Sequence, residues 1–94
     1  MRTIGFHAIV ELYGCNEKNL NSVNFLKKVF NLAVSEAGLK CLGIKYKKFN
    51  IHGVTMIALL SSSHISIHTW PELNYAALDI FTCSKRKNLE KALR

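Results

Sequence analysis

The chain has 94 residues, 49% hydrophobic and 20% charged, with a formal net charge of +7. That length fits one domain, residues 1–94, with a single modest core that self-association would help to complete. No apolar run is long enough for a membrane span, and no basic-then-apolar leader marks the amino terminus for export, so the expected location is the cytoplasm.

The positive charge is dispersed over Lys27-Lys28, Lys45-x-Lys47-Lys48 and Lys85-Arg86-Lys87, without a Gly-rich RNA motif or a recognition-helix pattern. Such spacing reads as a solvated lysine-rich surface, so no nucleic-acid partner is expected. Cys15, Cys41 and Cys83 are odd in number and widely spaced. They argue against a disulfide framework or a zinc site and for a reducing compartment.

Residues 4–12 alternate, with Ile4, Phe6, Ala8, Val10 and Leu12 on one face, which predicts a half-buried strand. A turn at 13–16 follows, and Asn16 or Asn19 can cap the next element. Apolar residues from Leu20 to Ala37 recur at three- and four-residue steps, predicting one amphipathic helix stopped by Gly38. Phe25, Val29 and Leu32 widen its apolar face. Residues 39–49 predict a second strand, weakened by Gly43, and residues 54–60 a buried third.

The fourth strand carries the unusual chemistry. Ile65, Ile67 and Thr69 take one face while His64, Ser66, His68 and Trp70 take the other, and Pro71 ends the run. Residues 75–82 predict a fifth strand, and Ser84 can cap a closing helix over 86–93. The sum is β-α-β-β-β-β-α: an α+β fold, a two-layer sandwich with a mainly antiparallel sheet and helices on one face. The other sheet face or an edge is left for a site or a partner.

Three serines at 61–63 followed by His64 and His68 suggest hydroxyl chemistry of two kinds. A serine can attack an external substrate with histidine as base. It can also attack its own preceding carbonyl, and β-elimination from the resulting ester then cuts the chain and leaves a pyruvoyl group. The residues alone leave both open. A metal reading of His64-x3-His68 fails, since four residues of strand separate the rings by about 13 Å.

Ser-His-Ile-Ser-Ile-His-Thr-Trp-Pro-Glu at 63–72, with Tyr-Ala-Ala-Leu-Asp-Ile-Phe-Thr-Cys at 75–83, resembles the S-adenosylmethionine decarboxylase family in its short prokaryotic form. The likeness extends to Gly5-x-His7, Phe49 and Gly53-Val54-Thr55, and covers roughly residues 4–84. It implies a proenzyme that cleaves itself between Ser62 and Ser63 and decarboxylates S-adenosylmethionine for polyamine synthesis. Ser63 becomes the pyruvoyl group that forms a Schiff base with substrate, and no metal or diffusible cofactor is needed. His68 assists processing by proton transfer, Thr55 supplies a processing hydroxyl, and Cys83 is the proton donor. Phe49 and Trp70 sandwich the adenine, and Glu72 accepts from the ribose hydroxyls.

This sequence departs from the family at Ser62, usually glutamate, and at Thr55, commonly serine. Relatives also commonly continue beyond the cysteine motif. Two further readings follow: a pyruvoyl-dependent decarboxylase of ornithine or arginine, and a non-processing relative that binds or regulates a partner chain. A homodimer of cleaved protomers is the expected assembly.

Overall fold

The structure is a computed structural model that describes residues 5–82. Its strands are β1 (Phe6–Tyr13), β2 (Cys41–Lys48), β3 (Val54–Leu60), β4 (Ser63–Trp70) and β5 (Tyr75–Thr82). They form one sheet in the order β1-β5-β4-β3-β2, with all neighbours antiparallel. Helices α1 (Glu17–Leu20) and α2 (Val23–Glu36) link β1 to β2 on one side of this sheet. The expected α+β sandwich is therefore the observed fold. The expected closing helix and Cys83 lie outside the described residues.

The core is the seam between α2 and the inner face of the sheet. Leu26, Phe30 and Val34 of α2 meet Val54, Met56, Ala58 and Leu60 of β3, Ile65 and Ile67 of β4, and Ala76 and Ile80 of β5. The strands contribute alternate residues, so their intervening side chains form a second, open face. β4 divides as its alternation predicts. Ile65, Ile67 and Thr69 are buried, while His68 and Trp70 are exposed.

The helical segment differs from expectation because it is broken. The Asn21 side chain, in the gap between the helices, accepts a hydrogen bond from the Gly53 backbone N–H at 2.9 Å. A continuous helix through residue 21 would carry that side chain around the axis instead. Asn16 caps α1 by accepting from the Asn19 N–H, and Ser22 caps α2 by accepting from the Phe25 N–H. Leu32 is 65% exposed and Phe25 and Val29 are partly exposed, so these three flank the buried seam rather than enter it.

The second strand is shorter than expected, with a register shift between Cys41 and Gly43 that ejects Leu42 from regular pairing. Gly53 has φ 106°, and a Cβ there would sit 2.9 Å from the Thr69 carbonyl oxygen. Glycine is thus required where the β2–β3 turn passes close to β4. After Trp70 the chain makes a 3-10 turn, Pro71–Leu73, and reverses through left-handed Asn74 at φ 52°.

Thr69 fastens these elements together. Its buried hydroxyl donates to the Leu20 carbonyl at 2.8 Å and accepts from the Val54 N–H at 2.9 Å. Thr69→Val preserves shape but leaves a buried carbonyl and a buried N–H without their partner. We expect a loss of about 2–4 kcal/mol in urea unfolding at unchanged m-value.

Candidate active site

The open face of the sheet collects the polar side chains of the central motif. Thr55 and His68 are register partners on β3 and β4, and Thr55 Oγ1 lies 3.0 Å from His68 Nδ1. When the hydroxyl donates, Nδ1 is the acceptor and the ring proton sits on Nε2. Around this pair Phe49, His52, Thr69, Trp70 and Glu72 line a shallow cleft of about 320 Å³. Phe49, before the β2–β3 turn, and Trp70, at the end of β4, are both partly exposed. Lys47 places its ammonium 5.9 Å from the Phe49 ring centroid. Four of the expected residues, Phe49, Thr55, His68 and Trp70, therefore share one cleft with the fifth, Glu72.

Ser63 is elsewhere. It opens β4 on the inner face, is buried, and its hydroxyl is the buried side-chain oxygen without a hydrogen-bond partner among the described residues. Its register partner is Thr82. Along β4 it stands about 17 Å from His68 and about 23 Å from Trp70. Ser63 and His68 also project from opposite faces. Within one chain the hydroxyl and the cleft are not brought together. Ser62 and Ser61 are exposed in the two-residue turn before it.

A second polar cluster lies on the open face near the Ser63 end. The Asp79 carboxylate bonds His7 Nε2 and stands 3.7 Å from His64 Nε2. Both rings flank Phe81, with centroids 6.0 and 6.1 Å away. A third group lies toward the other end. Glu11 accepts from Tyr13 at 3.0 Å and from Tyr75 at 3.1 Å, and Tyr75 packs on Trp70 with centroids 5.3 Å apart. Motif and spacing assign no role to His7, His64, Glu11 or Asp79. Alternation places each on a face, but only the pairing of β1 with β5 sets them beside one another. Among the described residues no group of three or more His, Cys, Asp or Glu has the geometry to hold a metal ion.

Known proteins supply the family to which this geometry belongs. The S-adenosylmethionine decarboxylase family pattern matches residues 6–94. The chain belongs to the S-adenosylmethionine decarboxylase family. It is 42% identical over 94 residues to a protein of Moorella thermoacetica described as an S-adenosylmethionine decarboxylase proenzyme, covering all of this chain and 75% of that one. A proenzyme of the same description from Methanococcus maripaludis is 44% identical over 93 residues, covering 99% of this chain and 76% of that one. The crystal structure of the adenosylmethionine decarboxylase from Aquifex aeolicus superposes with a TM-score of 0.92 at 35% identity, over 99% of this chain and 77% of that one. This family's members are decarboxylases made as proenzymes, so the chain is an enzyme of the carboxy-lyase class.

The Glu11 cluster has a titration signature. Hydrogen bonding to the Glu11 carboxylate, and its charge, raise the Tyr13 phenol above its ordinary 10.0. Tyr75 is also raised, chiefly by desolvation and then by the Glu11 hydrogen bond. Each effect favours the neutral phenol. Ultraviolet titration should show Tyr13 and Tyr75 ionising above the ordinary phenol range, and Glu11→Gln should bring both midpoints down.

Proposed function

We propose that this chain cuts itself between Ser62 and Ser63 and then decarboxylates S-adenosylmethionine, supplying aminopropyl groups for polyamine synthesis. The observation that carries this reading is the Ser63 hydroxyl, buried and without a partner among the described residues, beside the bond to be cut. A buried hydroxyl left without a partner costs about 1–3 kcal/mol, and such exceptions suit a reacting group.

In processing, Ser63 Oγ attacks the carbonyl carbon of Ser62. The peptide C–N bond breaks as an ester C–O bond forms, and the hydroxyl proton passes to the released amine. Loss of the residue 63 α-proton then expels the Ser62 carboxylate. The amino-acrylate left behind takes up water and releases ammonia, leaving a pyruvoyl group on a 32-residue chain beside one of 62 residues. The Ser62 side chain takes no part in this sequence, because its backbone carbonyl is the electrophile. The orphaned oxygen of Ser63 fits the precursor of such a group.

The pyruvoyl carbonyl supplies an electron sink for the pair left when the substrate carboxylate departs. The protein's residues do the rest. Phe49 and Trp70 offer flat faces for adenine, and those faces also favour a nearby sulfonium. Glu72 accepts from the ribose diol. His68, held by Thr55, moves protons during processing. Cys83 follows Thr82, the register partner of Ser63, and is assigned the return of a proton to carbon.

The distance from Ser63 to the cleft supports a homodimer in which each site is shared. Two open faces packed about a two-fold axis, with their β4 strands antiparallel, bring the exposed Ser61–Ser62 turn of one chain, and with it the bond to be cut, toward Thr55, His68 and Trp70 of the other. The Ser63 hydroxyl starts on the helical side of its own sheet. The open face has the apolar surface for this, with Ile9, Ile57, Leu59 and Trp70 uncovered. Thr55 keeps the hydroxyl that relatives place on serine, and its added methyl leaves the hydrogen bond to His68 intact.

Two experiments test the reading. Carboxyl-labelled S-adenosylmethionine should release carbon dioxide, while ornithine and arginine should not. Release from either of the latter alone contradicts the substrate assignment. For the shared site, His68→Ala expressed alone should stay uncut, with processing slowed at least about 100-fold. Co-expression with Ser63→Ala, which donates an intact His68, should restore cleavage of the His68→Ala chain. Failure of that rescue contradicts the shared arrangement, and cleavage of the His68→Ala chain alone at the wild-type rate contradicts the role of His68.

A further inference from the structure

We infer that Glu11 and Tyr75 act as positioning residues for Trp70, bracing the aromatic platform on which the nucleoside of the substrate stacks. The inference rests on the nucleoside reading of the cleft and adds to it two residues that do not line that cleft.

The brace is built across three strands. Tyr13 of β1, Tyr75 of β5 and Trp70 of β4 are consecutive register partners, so their side chains stand in a row on the open face. Tyr13 and Tyr75 ring centroids are 5.1 Å apart, and Tyr75 and Trp70 centroids 5.3 Å apart. His68, two residues back on the same strand, has its ring centroid 6.4 Å from that of Trp70. Both neighbouring rings are tilted relative to Trp70 rather than parallel, at 39° and 41°, so the three do not form one flat stack. Aromatic pairs at these separations are attractive in many orientations. Stacking alone would leave a partly exposed tryptophan free to rock.

Glu11 removes that freedom from its neighbour. One carboxylate oxygen accepts from Tyr13 and the other from Tyr75. Both oxygens of one side chain are thus committed, which fixes the tilt of the Tyr75 ring. Charge-assisted hydrogen bonds are the stronger kind, so a carboxylate suits this position better than an amide. No lysine or arginine is paired with Glu11 among the described residues, and its polar contacts are the two phenols. The restraint therefore runs from Glu11 through Tyr75 to Trp70. A platform held in place beforehand loses less freedom when a flat ring settles on it.

The chain contains one tryptophan, so its fluorescence reports Trp70 alone. The test uses the purified full chain with 5′-methylthioadenosine as probe, a nucleoside that lacks the carboxylate to be lost. Tyr75→Phe, which keeps the ring, and Glu11→Ala should each weaken probe binding about three- to tenfold. Both should also make unliganded Trp70 more accessible to acrylamide quenching. Glu11→Gln retains one acceptor and should fall between wild type and Glu11→Ala. Joining Tyr75→Phe to Glu11→Ala should add little, because both cut the same connection. In turnover the loss should fall more on KM than on kcat. Wild-type affinity and quenching in both Tyr75→Phe and Glu11→Ala overturn the brace and leave the nucleoside reading standing. Trp70 emission that ignores the probe in the wild-type chain overturns that reading, and the brace with it.

Discussion

The register of β4 is the constraint on which everything else in this small fold depends. Side chains alternate strictly along a strand, so a slip of one residue would bury His68 and Trp70 and expose Ile65 and Ile67. The Thr69 hydroxyl prevents it by tying the strand to Leu20 on the helical layer and to Val54 on β3. Two residues on, buried Pro71 stops the ladder and the chain turns into β5. Core packing and site placement are consequences of one pairing rather than separate achievements.

The same register explains why Ser63 and the cleft are far apart. Both belong to β4, but they occupy its opposite ends and project to opposite sides. A strand cannot fold back on itself to join them. In the proposed dimer a second copy with its strand reversed closes the distance along the strand, and the uncovered apolar side chains of the open face would give association a driving force. Under that proposal the stability of the sandwich and the completion of its chemistry would draw on the same surface. The row from Tyr13 through Tyr75 to Trp70 lies on that same face.

Much of this is legible in the sequence because β4 and β5 alternate so regularly. Alternation alone assigns His64, Ser66, His68 and Trp70 to one face, and it sets the span of β5 at its observed limits, Tyr75–Thr82. The helical break at Asn21 is hidden, since apolar spacing continues through it. At the break Asn21 accepts a hydrogen bond from Gly53, 32 residues away in sequence, and Ser22 caps the second helix. The clusters around Glu11 and Asp79 are hidden for a related reason. They need β1 beside β5, a pairing that joins the two ends of the described chain and leaves no local trace. Periodicity shows which way a side chain points; it does not show what stands opposite. The separation of Ser63 from His68 follows from strand rise alone and is open to reading. The shared cleft of Phe49, Thr55, His68, Trp70 and Glu72 instead requires the turn geometry at Gly53 and Pro71.

The most direct measurement is the mass of the purified protein under denaturing conditions. We expect two polypeptides that divide the sequence between Ser62 and Ser63, the carboxyl-terminal one beginning with a blocked, carbonyl-bearing residue in place of serine. A single species at the mass of the whole 94-residue chain, persisting on incubation with Ser63 unaltered, would contradict self-cleavage and the decarboxylase chemistry built on it.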